Sequence, residues 1–550
     1  MRLPLQTKRQ VRRASRLFHP IAVGSLLCVC ILTTSCGDVY RPVAQVIPQP
    51  SPNPGAFHFV VSLSMNGLDV FDPTTNLCQP SGTPAPCVAD SGAASRLDVS
   101  GDTNVGILKT GVVPVHAVLL PNASRLYVVN SAEGTVTENV TSTPTVPTTI
   151  SLPAGSKPVF VHTAENNNVY TANFGDNTVS VINTTLNVVT ATVAVGTHPV
   201  ALAETPNGQK LYVANQSSGT VTVISTIDDT VIATIPVGSS PVWAVARPDS
   251  ARIYVLDSNG TIYDIDTLSD TALPMTGSSG GTGANFMLYD STSNSLLVTN
   301  SGSRSLGILS ASTDPPTLHQ GVAITIPAPA IANYPCQSAP VVPSAVTMLP
   351  DGRAYVASYQ VSSGLVCTQS SVIDTAAGAV TKTIPLSASA DLSPQTGCGS
   401  AGFRVFTTSS GGGSTSNFKV YVSQCDAGSI AVVDTFAANS HPPDSLNATL
   451  PAPAGSFAPQ RVSITGASED AAHTATTFAY TPVSGSGLQM GMTIFITGMA
   501  DSTNNGIFLI SSLGSGTFTV ANASGVTSAS QNGSGIVVPP QNPVFLVAGP

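Results

Sequence analysis

Charge is what this 550-residue chain has least of: 9% of its residues are Asp, Glu, Lys or Arg, aromatics add 5%, and Trp243 is the single tryptophan. So few basic residues cannot build the surface that displaces counterions from phosphates, and no nucleic-acid partner is expected. After the first 35 residues no stretch of useful length carries the 3.6-residue apolar period of a helix, which removes helical bundles and α/β folds. Long apolar runs are missing too. The clearest, Ile21 to Leu32, is shorter than the roughly 20 residues of a spanning helix. Among the cysteines after residue 36 there is no Cys-x-x-Cys pair, which argues against a zinc ribbon, a c-type haem and a haem-based redox role. Glycine (47) and proline (43) are plentiful, as befits many short strands joined by tight turns.

The amino terminus reads differently from the rest. Arg2, Lys8, Arg9, Arg12, Arg13 and Arg16 precede the apolar run with no acid among them, the pattern of a secretory signal peptide. "ILTTSCGD" resembles a bacterial lipoprotein cleavage box, which implies that residues 1–35 are removed and that Cys36 becomes the lipidated first residue of a membrane-anchored protein. Gly37 after it, by the same resemblance, favours the outer membrane. The mature chain then keeps 14 basic against 29 acidic residues, a net charge of −15.

Export fits the cysteines. Cys78, Cys87, Cys336, Cys367, Cys398 and Cys425 remain, an even number suited to disulfides in an oxidising compartment. Six cysteines allow 15 connectivities. Local pairing of Cys78 with Cys87, Cys336 with Cys367 and Cys398 with Cys425 is expected, because each pair lies within one irregular repeat and would pin a long insertion.

The repeat carries the fold. "NVYTANFGDNTVSVI" (168–182), "KLYVANQSSGTVTVI" (210–224) and "RIYVLDSNGTIYDI" (252–265) are near-paraphrases. Tyr127, Tyr170, Tyr212 and Tyr254 follow at steps of 43, 42 and 42, with Leu297 next at 43, then Tyr355 and Tyr421; Phe59 in "FHFVVS" precedes them. One period, such as 199–238, reads as four short strands separated by "PNGQ", "QSSG" and "TIDD". Four strands per 40–45 residues is the pattern of β-propeller blades, each needing neighbours to bury both faces of its sheet. The fold class is therefore all-β: a propeller of seven or eight four-stranded blades, eight by count, plus a small C-terminal β module.

"LYVAN", "TVTVI", "ATIPVG" and "PVWAVARPD" resemble the YVTN-repeat β-propeller family of bacterial and archaeal surface proteins. The resemblance implies a propeller and an extracytoplasmic address, and no single reaction. The expected organisation is a signal peptide (1–35), a lipidated tether (36–56), the propeller (57–460), the small β module (461–538), where Asn504-Asn505-Gly506 predicts a tight hairpin, and a candidate ring-closing strand (539–550). The first unit lacks an innermost strand. "NPVFLVA" (542–548) is favoured to supply it over "QRVSIT" (460–465), because it looks like "SPVWAVA" and "KPVFVHT".

No catalytic, cofactor-binding or metal-binding set stands out. "GSSGG" around Ser279 meets the Gly-x-Ser-x-Gly pattern, but no helix follows to form a nucleophile elbow. His116 and His162 share strand parity in neighbouring blades, and a metal there would need Glu165 or Glu204 as a third ligand; channel-lining structural histidines are expected. Asp72, Asp266, Asp374 and Asp434 recur after the third strand, where a carboxylate caps the next turn, with calcium as the alternative. Trp243 is expected in the core. The expected function is a non-enzymatic envelope scaffold binding a protein or glycan partner through its loop-bearing rim; the alternative is an enzyme resembling propeller lactonases or lyases. A channel mouth of Ser, Thr and Asn would suit the binder, and converging His, acid and Arg the enzyme.

Overall fold

A computed structural model describes residues 59–66, 70–72, 77–79 and 91–549, apart from 143–146, 165, 322, 332–333, 363, 392–397, 399–402, 412–417, 437–441, 452–460, 485–487, 489–492, 505, 523–524, 528–532 and 539–540. Cys36, Glu165, Cys87 and the side chains of Asp72 and Cys78 lie outside the described residues.

Among the described residues eight antiparallel sheets form blades, each built on a four-strand path. Blade 4 shows how local the coding is: its strands are Pro199–Glu204, Lys210–Asn215, Thr220–Ser225 and Thr230–Pro236, bounded by the turns read from the sequence. The two middle strands each run i-B-B-B-B in burial, because both faces of a blade are covered by neighbours, while the outermost strand is mostly exposed and buries only Ile235. In chain order the innermost strands of blades 2 to 8 are Pro114–Leu119, Pro158–Thr163, Pro199–Glu204, Pro241–Ala246, Ala284–Asp290, Val342–Met348 and Val405–Gly411.

Gln541–Ala548 is the innermost strand of blade 1. It pairs antiparallel with Phe59–Asn66, Leu63 opposite Phe545 and Val61 opposite Val547, and packs on the innermost strands of blades 8 and 2. The ring thus closes by joining the far end of the chain to the first described strand, removing the open edge. Arg461–Glu469, by contrast, belongs to a closed six-stranded barrel with Ala475–Ser484, Thr493–Thr497, Gly506–Gly514, Thr517–Ala521 and Gly533–Val538. The barrel has its own core, including Phe478, Phe518, Ile494 and Ile496.

Two sequence expectations need correcting. Ser64 faces Pro543 as Asn215 faces Pro199, so the residue of blade 1 equivalent to Tyr212 is Val61 and not Phe59. The strands around Asn504 are joined by a short 3-10 turn, Ser502–Asn504, and the Asn504 amide bonds Val526 in both directions, donating to its carbonyl (2.9 Å) and accepting from its N–H (3.1 Å). A two-residue hairpin is not formed.

The repeated tyrosine holds blade to blade. Tyr127 donates to Asn187 (2.8 Å), Tyr170 to Asp229 (3.1 Å), Tyr212 to Asp270 (2.5 Å), Tyr355 to Asp444, and Tyr421 to Asp102 (3.1 Å). Each acceptor sits at positive φ in the turn between the third and outermost strands of the next blade, where Asn and Asp tolerate the left-handed region. The last of these joins blade 8 to blade 1, and Lys419 reinforces it at Asp102 (2.5 Å). Where blade 1 lacks the tyrosine, Arg96 reaches the Thr141 carbonyl instead. These bonds also orient the ring: the turns after every third strand lie at one end, here the lower end. The hairpins between second and third strands and the blade-to-blade crossovers lie at the upper end.

Candidate functional site

Each innermost strand except that of blade 8 carries a bulge two residues into its pairing, as between Pro199 and Ala201 or Pro241 and Trp243. In four of these seven cases a proline that lacks the N–H to continue the ladder opens the strand, Pro343 follows as the second residue in blade 7, and Pro543 stands at the matching place in the closing strand. The residue after the bulge meets its counterparts from other blades at the ring's centre. Around the ring that position holds Phe545, His116, Phe160, Ala201, Trp243, Phe286, Ala345 and Phe406. His116 stacks on Phe160 (4.0 Å between ring centroids) and packs on Phe545 (4.5 Å); Phe545 meets Phe406 (4.5 Å), and Trp243 meets Phe286 (4.8 Å) and reaches past Ala201 to Phe160 (5.5 Å). An eight-bladed ring leaves a wide axis, and large side chains fill it.

A seventh ring comes from outside the repeat. Phe403, on the crossover into blade 8, touches Trp243, Phe286, Phe406 and Phe545 from four blades and is half-buried. Beside it Arg404 grips Asp426 with two bonds (2.7 and 2.9 Å), pairs with Asp391, and lies 5.3 Å from the Tyr359 ring centroid. Cys398 is bonded to Cys425 in the same region. Among the described residues the mouth at this end is therefore neither lined by Ser, Thr and Asn nor a convergence of His, acid and Arg on an open channel. It is an aromatic plug, and Trp243, 6% exposed, is part of it.

His116, His162 and Glu204 come from the innermost strands of three successive blades and are at most 3% exposed. His162 Nε2 lies 3.7 Å from Glu204 Oε2. Nδ1 of His116 accepts the Val161 N–H (3.1 Å), which leaves a neutral ring protonated at Nε2. Burial, and then the charge of His162, hold the His116 pKa well below the usual imidazole range. Among the described residues no three His, Cys, Asp or Glu side chains are placed to hold a metal ion.

The other candidates have structural partners. Ser279 is fully buried and donates to Asn300 Oδ1 (2.7 Å), with no helix after it. Asp266 accepts the N–H groups of Leu268 (3.0 Å) and Ser269 (2.9 Å), and Asp374 those of Ala376 and Ala377 (both 3.0 Å), as turn caps do. Asp434 accepts from Asn447 (3.3 Å). In blades 2, 3 and 4 the asparagine ending the second strand ties down its own hairpin: Asn215 donates to Thr220 (3.2 Å) and Thr222 (2.9 Å), and Asn130 and Asn173 make the equivalent pairs of bonds. A Cβ on Gly196 of the incoming crossover would come within 2.7 Å of the Asn215 amide.

One further cluster lies at the lower seam of blades 5 and 6. Arg252 pairs with Asp264 (3.3 Å), Asp266 (2.5 Å) and Asp314 (2.9 Å), and Arg247 with Asp314 (3.3 Å). Burial and the neighbouring Asp314 charge push Asp264 up to about 7. It takes the place of the Tyr–Asp contact of other seams; Asp264 is fully buried in it, while Asp266 and Asp314 remain partly exposed.

The described departures from the compact repeat gather at the upper end. The crossover before blade 7 carries Tyr334 and Cys336, and Cys336 bonds Cys367 of the long Arg353–Ser362 and Leu365–Asp374 hairpin. The crossover into blade 8 carries Phe403, Arg404 and Cys398, and the barrel lies on the crossover into blade 1. The two disulfides accord with an oxidising, extracytoplasmic compartment. Among the described residues no helix is long and apolar enough to cross a membrane.

Aligning innermost strands from their prolines exposes the aromatic column in the sequence. Nothing in the sequence points to Phe403 or Arg404, which stand on a crossover that no repeat predicts.

Residues 100–231 match a family described as Lactonase, 7-bladed beta-propeller. No curated protein matches the chain. Among solved structures, hydrazine synthase of Kuenenia stuttgartiensis is similar at 18% identity and a TM-score of 0.39, over 52% of this chain and 83% of that one.

Proposed function

We propose that this propeller is a non-enzymatic, extracytoplasmic binding or scaffold protein, anchored to a membrane through Cys36, that presents its upper end to a protein or glycan partner. The observation that carries this is the pairing of a filled axis with a built-up rim. The plug occupies the place where a propeller enzyme would admit substrate, while the disulfide-pinned insertions and the barrel all rise from the same end. Loops held by a rigid scaffold are where recognition residues concentrate.

The tip of the blade 7 hairpin supplies a handle, since Val361 and Leu365 are 39% and 37% exposed on facing strands. In pull-downs from the native envelope, full-length protein should retain a specific partner that Val361→Asp with Leu365→Asp loses. Capture that is indifferent to every change at the upper end would overturn the reading. Cys36→Ser should move the protein from membrane to soluble fractions; retention in the membrane fraction would remove the anchor.

The matched family favours a second reading, a lactonase-like enzyme, because 100–231 contains His116, His162 and Glu204. Hydrolysis of a sugar lactone by the purified protein, lost in His162→Ala and Glu204→Ala variants that still fold, would establish it against the first.

A further inference from the structure

We infer that the lower end of the ring is a membrane-facing surface, with three aliphatic turn tips on blades 3 to 5 resting in the interface of an electrically neutral lipid bilayer. The inference rests on the Cys36 anchor proposed above. Leu186, Ile227 and Leu268 stand at the tips of the turns after the third strands of successive blades and are 68%, 84% and 93% exposed. Val188, Val231 and Ile232, at the start of the adjoining outermost strands, are 45%, 43% and 46% exposed. Single exposed aliphatics need no explanation, but the same end of three neighbouring blades does.

The chain itself says what covers them. Phe59 opens the second strand of blade 1 opposite Asp98, which ends the third strand. The polypeptide coming from Cys36 therefore joins the ring at the lower end, the end that carries these tips. Of these, blade 5 stands directly across the eight-bladed ring from blade 1 and blades 3 and 4 lie on the arc between, so tether and tips would hold separate parts of one face. Residues 36–58 cannot reach beyond roughly 80 Å even fully extended, which keeps the ring near the bilayer without orienting it. Confinement at that range lets a weak second contact act as an intramolecular one. A lipid chain needs such a second signal for stable attachment.

Charge selects the lipid. Asp229 and Asp270 on these turns are turned into the blade-to-blade bonds with Tyr170 and Tyr212, but Asp228 stays at the tip beside Ile227. With a net acidic chain, an anionic surface would repel this end and a zwitterionic one would accept it.

The test uses full-length protein and phosphatidylcholine vesicles. Mass spectrometry of the native protein first reads acylation at Cys36, and its absence removes the anchor alone. For acylated protein on vesicles, amide exchange should slow in 184–187, 226–229 and 267–270 relative to protein in solution. The L186S/I227S/L268S variant should stay bound through its lipid and lose that protection. In an unlipidated Cys36→Ser background, the same three substitutions should lower vesicle partitioning by about tenfold, with an unchanged melting temperature. Unaltered exchange in the three turns of acylated, bound protein would overturn the proposal. So would protection of the upper-end hairpins in their place, or equal partitioning of the two Cys36→Ser chains.

Discussion

Replacing Phe545 by alanine asks whether the ring is closed by Gln541–Ala548 and sealed along its axis. Phe545 is fully buried and touches His116, Phe406 and Phe403, drawing on blades 2 and 8 and on the crossover plug. Phe→Ala in a close-packed interior costs about 3–5 kcal/mol, the lost transfer free energy plus a cavity term. Phe403, half-buried and at the edge of the void, can collapse into it and recover part of the cavity term, so the expected cost is near the lower limit, about 3 kcal/mol. That is a large fraction of a stability of about 5–15 kcal/mol. The assay is urea unfolding followed by Trp243 fluorescence, since the only tryptophan lies inside the plug. Phe518→Ala is the matched control: it removes an equally buried ring, but from the barrel core. Phe545→Ala should shift the Trp243 transition to lower urea by about 3 kcal/mol, and Phe518→Ala should leave it nearly in place. A Phe545→Ala transition within about 1 kcal/mol of wild type would refute closure by this strand.

Three other outcomes are expected. The buried Asp264 has a folded pKa raised to about 7 against an ordinary 3.8, so its contribution is full below pH 4 and is lost as pH rises through 7; Asp264→Asn should raise the melting temperature at pH 8 and leave it unchanged near pH 4, and an equal effect at both would discard the buried charge as the cause. His116, held neutral by burial and His162, contributes stability that is present above 6.5 and lost as pH falls through its lowered folded value. His116→Phe keeps the stack, sacrifices the Val161 acceptor for about 1–3 kcal/mol, and should flatten the slope of stability between pH 6.5 and 5; an unchanged slope assigns acid sensitivity elsewhere. Non-reducing peptide maps should join Cys336 to Cys367 and Cys398 to Cys425, and reducing each bridge should cost roughly 2–4 kcal/mol; a cross-linked peptide with any other partner contradicts the pairing.

Residues 120–300 show how far local coding reaches. There the strands begin and end where Pro-Asn-Gly, Ser-Ser-Gly and Ile-Asp-Asp turns place them, because strand alternation and turn chemistry act over a few residues. The period of about 42 residues demanded stacked blades, since no single twisted sheet covers both of its own faces. The capping aspartates were equally legible: Asp266 and Asp374 bond amides two and three residues away.

What depended on distance in the chain was decided only by the folded ring. Tyr212 is conspicuous in the sequence, but its partner Asp270 lies 58 residues on and is brought to it by the stacking of the next blade. Val61 takes the tyrosine position in blade 1 because pairing with Val547 sets the register, and an alternating strand looks the same when slid by two. The axis could have been an open polar channel. It is sealed because six of the eight innermost strands point Phe, Trp or His at a common centre, and because a crossover with no repeat pattern delivers Phe403 to the same place.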